Sequence, residues 1–97
     1  MTQMIGGNFA AVGQSPTFRI PQHRVGFNIS VWGTFVGTVV VERSFDGGTT
    51  WLPKWPSSVY SISSVISFTD EETEDGVAYR LNCTAYTSGP INYRVSQ

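Results

Sequence analysis

The segment VGTVVVERSFDGGTTWL, residues 36–52, contains an extended run, a tight turn and the start of a returning strand. From Val36 to Phe45 the side chains alternate between two faces, and this period of two is typical of a half-buried strand. Gly47 and Gly48 then supply the positive φ angles that a tight hairpin needs, while Asp46 can accept backbone N–H groups inside the turn. We therefore predict a β-hairpin, an antiparallel element that indicates the class of the whole fold.

Residues 44–51 of this hairpin fit the pattern Ser-x-Asp-x-Gly-x-Thr-Trp, which is the Asp-box signature. Asp-boxes are best known from sialidase-like propellers, but a propeller needs repeated blades and this chain has one copy and no internal repeat. None of the residues is placed as a nucleophile or a general acid. We predict a structural turn built by Ser44, Asp46, Gly47, Gly48, Thr50 and Trp51.

The same alternation recurs on both sides of the hairpin, in residues 25–32, 65–69, 77–86 and 91–95. The last two runs are separated only by the turn residues 87–90, which predicts a second hairpin. Pro53 ends the returning strand or confines it to a sheet edge, because proline has no N–H to donate. No segment has the apolar spacing of an amphipathic helix. The fold class we predict is all-β, an antiparallel β-sandwich or small jelly roll of about seven strands.

Residues 1–16 are rich in Gly, Ala, Ser and Gln and show no clear periodicity. We predict an extended N-terminal arm that reaches a partner, with a frayed terminus as the alternative. Residues 17–97 then form a single β-sandwich domain, which is a common size for one domain.

The composition is poor in charge: 13% of the 97 residues are charged and the formal net charge is −1. That balance gives no electrostatic basis for binding nucleic acid or an anionic membrane, and no apolar run is long enough for a membrane helix. A surface with so few charges is typical of a protein that packs against neighbours. Cys83 is the only cysteine, so no intrachain disulfide is available, and its position among apolar residues predicts a buried thiol.

The residues available for catalysis are few. His23 is the only histidine, and no pair of carboxylates is placed for glycoside hydrolysis. We therefore predict no enzymatic activity, no cofactor and no metal site. The acidic run at residues 70–75 could hold Ca²⁺, but a solvated loop, or one that meets an arginine of a neighbouring subunit, is the favoured interpretation.

Exposed aromatic residues are the best candidates for binding. Trp32 and Tyr86 fall on the faces opposite the apolar rows of their strands, and Trp55 lies between two prolines. We predict that they anchor a protein interface together with Arg80 and Arg94, because aromatic residues and arginine are enriched at such interfaces. The alternative is sugar stacking on the same rings.

Two parts of the chain, residues 39–51 and 76–94, resemble small β-proteins encoded among the virion genes of tailed bacteriophages. Those proteins carry a hairpin of the form RSxDGGxTW followed by an ending of the form YRLxCTxxTSGxxxYRxSQ. The resemblance implies a virion structural protein made in the host cytoplasm, most simply a capsid decoration or cement protein that binds capsid or other virion proteins as a homo-oligomer. A head-fibre or tail component, and a carbohydrate-binding module, are the alternatives.

Overall fold

A computed structural model describes residues 4–19, 26–54, 60–72 and 76–97, and its strands form two antiparallel sheets. This arrangement confirms the predicted all-β class and the β-sandwich. Sheet I has four strands in the order β1-β10-β4-β8: β1 (Met4–Phe9), β10 (Ile91–Ser96), β4 (Gly26–Trp32) and β8 (Ile66–Glu71).

Sheet II is built around two long strands, β5 (Val36–Ser44) and β9 (Ala78–Ser88), which pair along most of their length. Its edges are made of two-residue strands: β2 (Gly13–Gln14) and β3 (Phe18–Arg19) pair with β9, while β6 (Leu52–Pro53) and β7 (Ser61–Ile62) pair with β5. The predicted hairpin is therefore β5–β6. Pro53 lies on an edge strand, as proline in a sheet must.

The core lies between the sheets and is filled by the alternating apolar residues of the long strands. Strands β4 and β10 supply it from sheet I, and strands β5 and β9 supply it from sheet II. Its buried members include Phe27, Ile29, Val31, Val39, Val41, Tyr79, Leu81, Cys83, Ile91, Tyr93 and Val95. Full burial of one such aliphatic or aromatic side chain contributes about 1.5–3 kcal/mol, so these strands are the main source of stability.

The second predicted hairpin is wrong. Strands β9 and β10 are consecutive, yet β9 pairs with β5 in sheet II and β10 pairs with β1 and β4 in sheet I. The chain crosses from one sheet to the other at the cis peptide Gly89–Pro90. Alternation could not reveal this, because both strands turn one apolar face toward the same core, whether they lie in one sheet or in two.

The N-terminal segment differs from the predicted arm over its described part. It is extended, but β1 pairs with β10 through six residues and β2 pairs with β9, so the segment belongs to both sheets. Phe9 is buried against Tyr93 with 4.9 Å between the ring centroids. The Gly-rich sequence hid the alternation of Ile5 and Phe9, which are separated on that face by Gly7. Gly7 lies close to Tyr93, where an added Cβ would meet the hydroxyl at 3.2 Å.

Candidate functional site

The Asp-box loop is a self-contained network of hydrogen bonds. Asp46 Oδ1 accepts the backbone N–H groups of Thr49 (3.1 Å) and Thr50 (2.8 Å) and the hydroxyl of Ser44 (2.7 Å). Ser44 Oγ in turn accepts the N–H of Gly48 at 2.9 Å. The bonds from Thr50 and then from Ser44 lower the pKa of Asp46 to about 2. All described hydrogen bonds to Asp46 Oδ1 stabilise the turn. This arrangement suits a structural role for Asp46 better than acid–base chemistry.

Trp51 extends this network to the outer face of sheet II. Its indole Nε1 donates to the carbonyl of Gly48 at 3.0 Å, and the guanidinium of Arg80 lies 4.3 Å from its ring centroid. Arg80 Nε also donates to Glu42 Oε1 at 2.7 Å. Arg80, predicted to contact a partner, is thus already held by two side chains of its own chain.

The sandwich has two different ends. Two short connections cross between the sheets at one of them, residues 33–35 between β4 and β5 and residues 89–90 between β9 and β10. We call this the arch end. The Asp-box loop, which follows β5, lies at the opposite end, the Asp-box end.

Charge is distributed unequally between these ends. The described segments between the charged residues and the arch end are residues 8–15, 31–41, 61–66 and 81–93, and they contain no Asp, Glu, Lys or Arg. Arg94, which pairs with Ser30, borders this region in sheet I. Charged residues of the described chain lie in the middle of the sandwich or toward the Asp-box end. In the sequence, charged residues lie between these uncharged stretches. The strand topology brings the uncharged stretches together at one end of the sandwich.

Exposed apolar residues are present in the uncharged half. Trp32, Val36 and Val65 are exposed at the arch end, and we call them the arch-end patch. Trp32 and Val65 each lie one residue beyond the paired residues Val31 and Ile66, so the register places them side by side. Tyr86, predicted on the face opposite the apolar row, is instead half-buried and packs against the core, because an irregularity in the β5–β9 register between Cys83 and Ala85 changes the face on which it lies.

The four predicted interface residues that the structure describes do not form one site. Trp32 lies at the arch end, whereas Arg80 lies on the outer face of sheet II near the Asp-box loop. Arg94 is exposed in β10, between Gly6 and Ser30 of the neighbouring strands. Trp55 lies outside the described residues, as does His23. A role of these residues in binding a partner therefore stays a prediction.

A shallow groove runs beside the Asp-box loop and is lined by Arg43, Phe45, Leu52 and Pro53. Phe45 and Leu52 are exposed, and the Arg43 guanidinium lies 5.0 Å from the ring centroid of Phe45. This second apolar surface has a charged residue in its wall, unlike the arch-end patch.

A buried polar cluster, which no sequence pattern predicted, lies behind this end of the sandwich. It consists of Lys54, Tyr60, Asp70, Glu72 and Tyr79, and we call it the Lys54 cluster. Lys54 Nζ donates to Asp70 Oδ2 at 2.6 Å and to Tyr79 Oη at 2.7 Å. Tyr79 donates to Glu72 Oε1 at 2.8 Å, and Tyr60 donates to Asp70 Oδ2 at 2.7 Å.

Burial shapes the protonation of this cluster. Lys54 and Glu72 are only 8% and 3% exposed. Burial by itself raises the pKa of Asp70, but the hydrogen bonds from Lys54 and Tyr60 outweigh it, so the pKa lies below its ordinary value. Burial, followed by the hydrogen bond to Glu72, raises the pKa of Tyr79, and burial with the Asp70 contact raises that of Tyr60 to about 12. Both phenols therefore stay protonated at neutral pH.

The acidic run differs from the predicted solvated loop in its first half. Asp70 and Glu71 belong to β8, and Asp70 and Glu72 turn toward Lys54, Tyr79 and Arg43, with Arg43 Nη1 3.1 Å from Glu72 Oε1. Residues 73–75 lie outside the described residues. In the part of the chain that the structure describes, no group of three or more His, Cys, Asp or Glu side chains could hold a metal ion.

Two features of the sequence could have pointed to the cluster. Lys54 is the only lysine, and it follows directly after an edge-strand proline. The alternation of residues 77–86 puts Tyr79 in the apolar row of its strand, but a buried tyrosine hydroxyl needs a polar partner. Cys83, by contrast, is buried as predicted, and burial raises the pKa of its thiol.

Comparison of the chain with protein-family models, with curated proteins and with solved structures found no match. Among the described residues, no helix has the length and apolar character needed to cross a membrane.

Proposed function

We propose that this chain is a non-enzymatic structural protein of a bacteriophage virion, a capsid decoration or cement protein that docks through its arch end. The observation that carries the proposal is the absence of charged residues from the described segments of that half, together with the exposed arch-end patch. The virion assignment itself comes from the resemblance of residues 39–51 and 76–94 to phage virion proteins.

The physical argument concerns what an uncharged end is suited for. The centres of protein interfaces are depleted in charged residues and enriched in aromatic ones, with tryptophan among the commonest anchors. A free monomer normally keeps its surface mixed and charged, because charges oppose association. Over its described segments, the arch end has the uncharged surface and exposed tryptophan of an interface centre, and it lacks the charges that a free surface normally carries.

The size of the arch-end patch also bears on the proposal. Three side chains make a small contact, which suggests weak binding by a single copy. Many copies on a symmetric shell, or a homo-oligomer that presents several arch ends at once, would gain avidity without any new contact. A protein that coats a repeating surface can therefore bind firmly even when each single contact is weak.

A pair of matched variants tests the docking end. Val65 at the arch end is 64% exposed and Leu52 at the Asp-box end is 49% exposed. Each is replaced by lysine, and the variants are incubated with particles of the encoding phage that lack this protein. We expect Val65→Lys to reduce occupancy at least tenfold at limiting concentration, a loss of about 1.4 kcal/mol, while Leu52→Lys binds like the parent protein. Equal binding of both variants would move the docking surface elsewhere, and absence of the protein from wild-type particles would refute the virion role.

One observation favours carbohydrate binding as the second candidate. Trp32 shares the outer face of sheet I with a polar ladder in which Ser30 Oγ donates to Asn28 Oδ1 at 2.7 Å and lies 2.8 Å from Ser67 Oγ. An exposed ring beside hydroxyl and amide groups offers a sugar both a stacking surface and hydrogen-bond partners. Specific signals on a glycan array that disappear in Trp32→Ala or Trp55→Ala would favour this function over the capsid role.

A further inference from the structure

Lys54 and Asp70 connect the two sheets at one side of the sandwich. Lys54 directly follows β6, an edge of sheet II, and Asp70 lies in β8, an edge of sheet I. The amine nitrogen is 2.6 Å from Asp70 Oδ2, so it lies against the carboxyl group. Both residues are fixed by their backbones, since Lys54 N donates to Val41 O at 2.9 Å and Asp70 is paired with Phe27 in the sheet. Two groups held in contact in this way have a very high effective concentration toward each other.

The surroundings of the Lys54 amine are aromatic. Its Nζ lies 4.9 Å from the ring centroid of Tyr79, 5.0 Å from that of Tyr60 and 5.9 Å from that of Phe27. The hydrogen bonds from Lys54 and Tyr60 keep Asp70 ionised as the favoured form, and the low polarity of the surroundings reduces the preference for the ion pair over the neutral pair. One proton moving along the hydrogen bond from Nζ to Oδ2 converts the ammonium and carboxylate into an amine and a carboxylic acid, which are the forms that react.

The hydrogen bonds around the pair provide a path for the second proton. Tyr79 Oη accepts from Lys54 Nζ and donates to Glu72 Oε1, so the phenol links the amine to a buried carboxylate. On the other side, Tyr60 donates to the carboxyl group of Asp70 and offsets negative charge that builds up on its oxygen. The arrangement places a nucleophile, an electrophile, a base reached through a relay and a hydrogen-bond donor in one cluster.

From this geometry we infer that Lys54 and Asp70 become joined by an intramolecular isopeptide bond after folding. The neutral amine attacks Cγ of the protonated Asp70 carboxyl group, and a proton leaves Nζ through Tyr79 to Glu72. Glu72 returns that proton to a hydroxyl group on Cγ, which departs as water. One C–N bond forms and one C–O bond breaks, with no change of oxidation state and no cofactor.

The bond would tie an edge of sheet I to an edge of sheet II. It would reduce the freedom of the unfolded chain in the way that a disulfide does, in a protein whose single cysteine cannot form one. This inference rests on the contacts of the Lys54 cluster and does not depend on the proposed virion function.

The intact mass of the native full-length protein is the primary test. After overnight incubation at neutral pH, we expect a mass lower than that of the sequence by one water molecule, retained in denaturant. Trypsin cuts after Arg43, Lys54 and Arg80 in the free chain. The cross-linked protein should instead yield one peptide, residues 44–80, that lacks one water, because Lys54 is blocked. A full intact mass with separate peptides 44–54 and 55–80 would overturn the inference.

Three variants locate the bond and its chemistry. Lys54→Arg keeps the positive charge but should have the full mass. Asp70→Asn should react with loss of ammonia instead of water and should still give the single peptide 44–80, which assigns the reacting carboxyl group to residue 70 and the amine to Lys54. Tyr79→Phe keeps the ring but removes the relay, and it should slow cross-linking about a hundredfold; an unchanged rate would remove Tyr79 from the mechanism. Circular dichroism checks folding, and a plain ion pair would give the full mass in every protein.

Discussion

Replacement of Phe9 by alanine tests whether the N-terminal segment is part of the sandwich or a separable arm. Phe9 is 6% exposed, ends the edge strand β1 and packs its ring against Tyr93 at a centroid distance of 4.9 Å. An arm that orders only on a partner would contribute nothing to the stability of the isolated chain. A strand that contributes Phe9 to the core must contribute substantially.

The magnitude follows from the burial. Phenylalanine-to-alanine changes in protein cores cost about 3–5 kcal/mol, which includes both the lost apolar transfer and the cavity that remains. Phe9 is in an edge strand, where neighbours can relax, so we expect the lower figure, about 3 kcal/mol. Domains of this kind unfold with about 5–15 kcal/mol, so the variant should fold but with much reduced stability.

Urea unfolding followed by tryptophan fluorescence measures the effect. With a slope of about 1.5 kcal/mol per molar urea, a loss of about 3 kcal/mol lowers the unfolding midpoint by about 2 M. Val12→Ala is the matched control, since Val12 is apolar, lies in the same segment and is 62% exposed; we expect a change within about 0.5 kcal/mol. Equal unfolding midpoints for the two variants would refute the incorporation of residues 4–9 into sheet I and would support a separable N-terminal arm.

Two further predictions concern single groups. Ser44→Ala should raise the pKa of Asp46 from about 2 toward its ordinary value of 3.8, because a hydrogen bond to the carboxylate is lost; NMR titration of the carboxyl carbon measures this pKa. In the parent protein the pKa of Asp46 is lower in the folded state than in the unfolded state. The ionised carboxylate therefore stabilises the loop fully above pH 3.8, and this stabilisation is lost as the pH falls toward 2. An unchanged Asp46 pKa in the variant would contradict the network. Cys83 should react with a thiol reagent far more slowly in the native protein than in denaturant, since the thiol is buried and its pKa is raised; equal rates would show that the strand around it opens readily.

Local features of the fold were predictable from the sequence because they depend on neighbours along the chain. The Asp-box turn is defined by residues within five positions of Asp46, and its hydrogen bonds lie within the same eight residues. Strands β4 and β10 were likewise visible, since their alternation has little interruption. The arrangement of strands was not predictable, and the β9–β10 hairpin shows why. An apolar face is the same whether its strand pairs with its neighbour or crosses to the other sheet.

The Lys54 cluster is the clearest case of a site that composition and spacing concealed. Lys54, Asp70 and Tyr79 come from three separate parts of the chain, and no sequence pattern connects them; Asp70 belongs to the acidic run predicted to be a solvated loop. Only the approach of β6 to β8 brings the amine and the carboxyl group together.

By itself, the sequence determined that this chain is all-β, that residues 44–51 form a tight turn and that its surface has few charges, because these properties follow from local alternation, turn chemistry and composition. The tertiary structure alone decided where the few charges lie. The crossing of the chain between sheets collects the uncharged stretches at the arch end and gathers Lys54, Asp70, Glu72 and Tyr79 toward the other. Those contacts join residues far apart in the chain, and their pairing depends on the packing of two sheets rather than on any pattern within one strand.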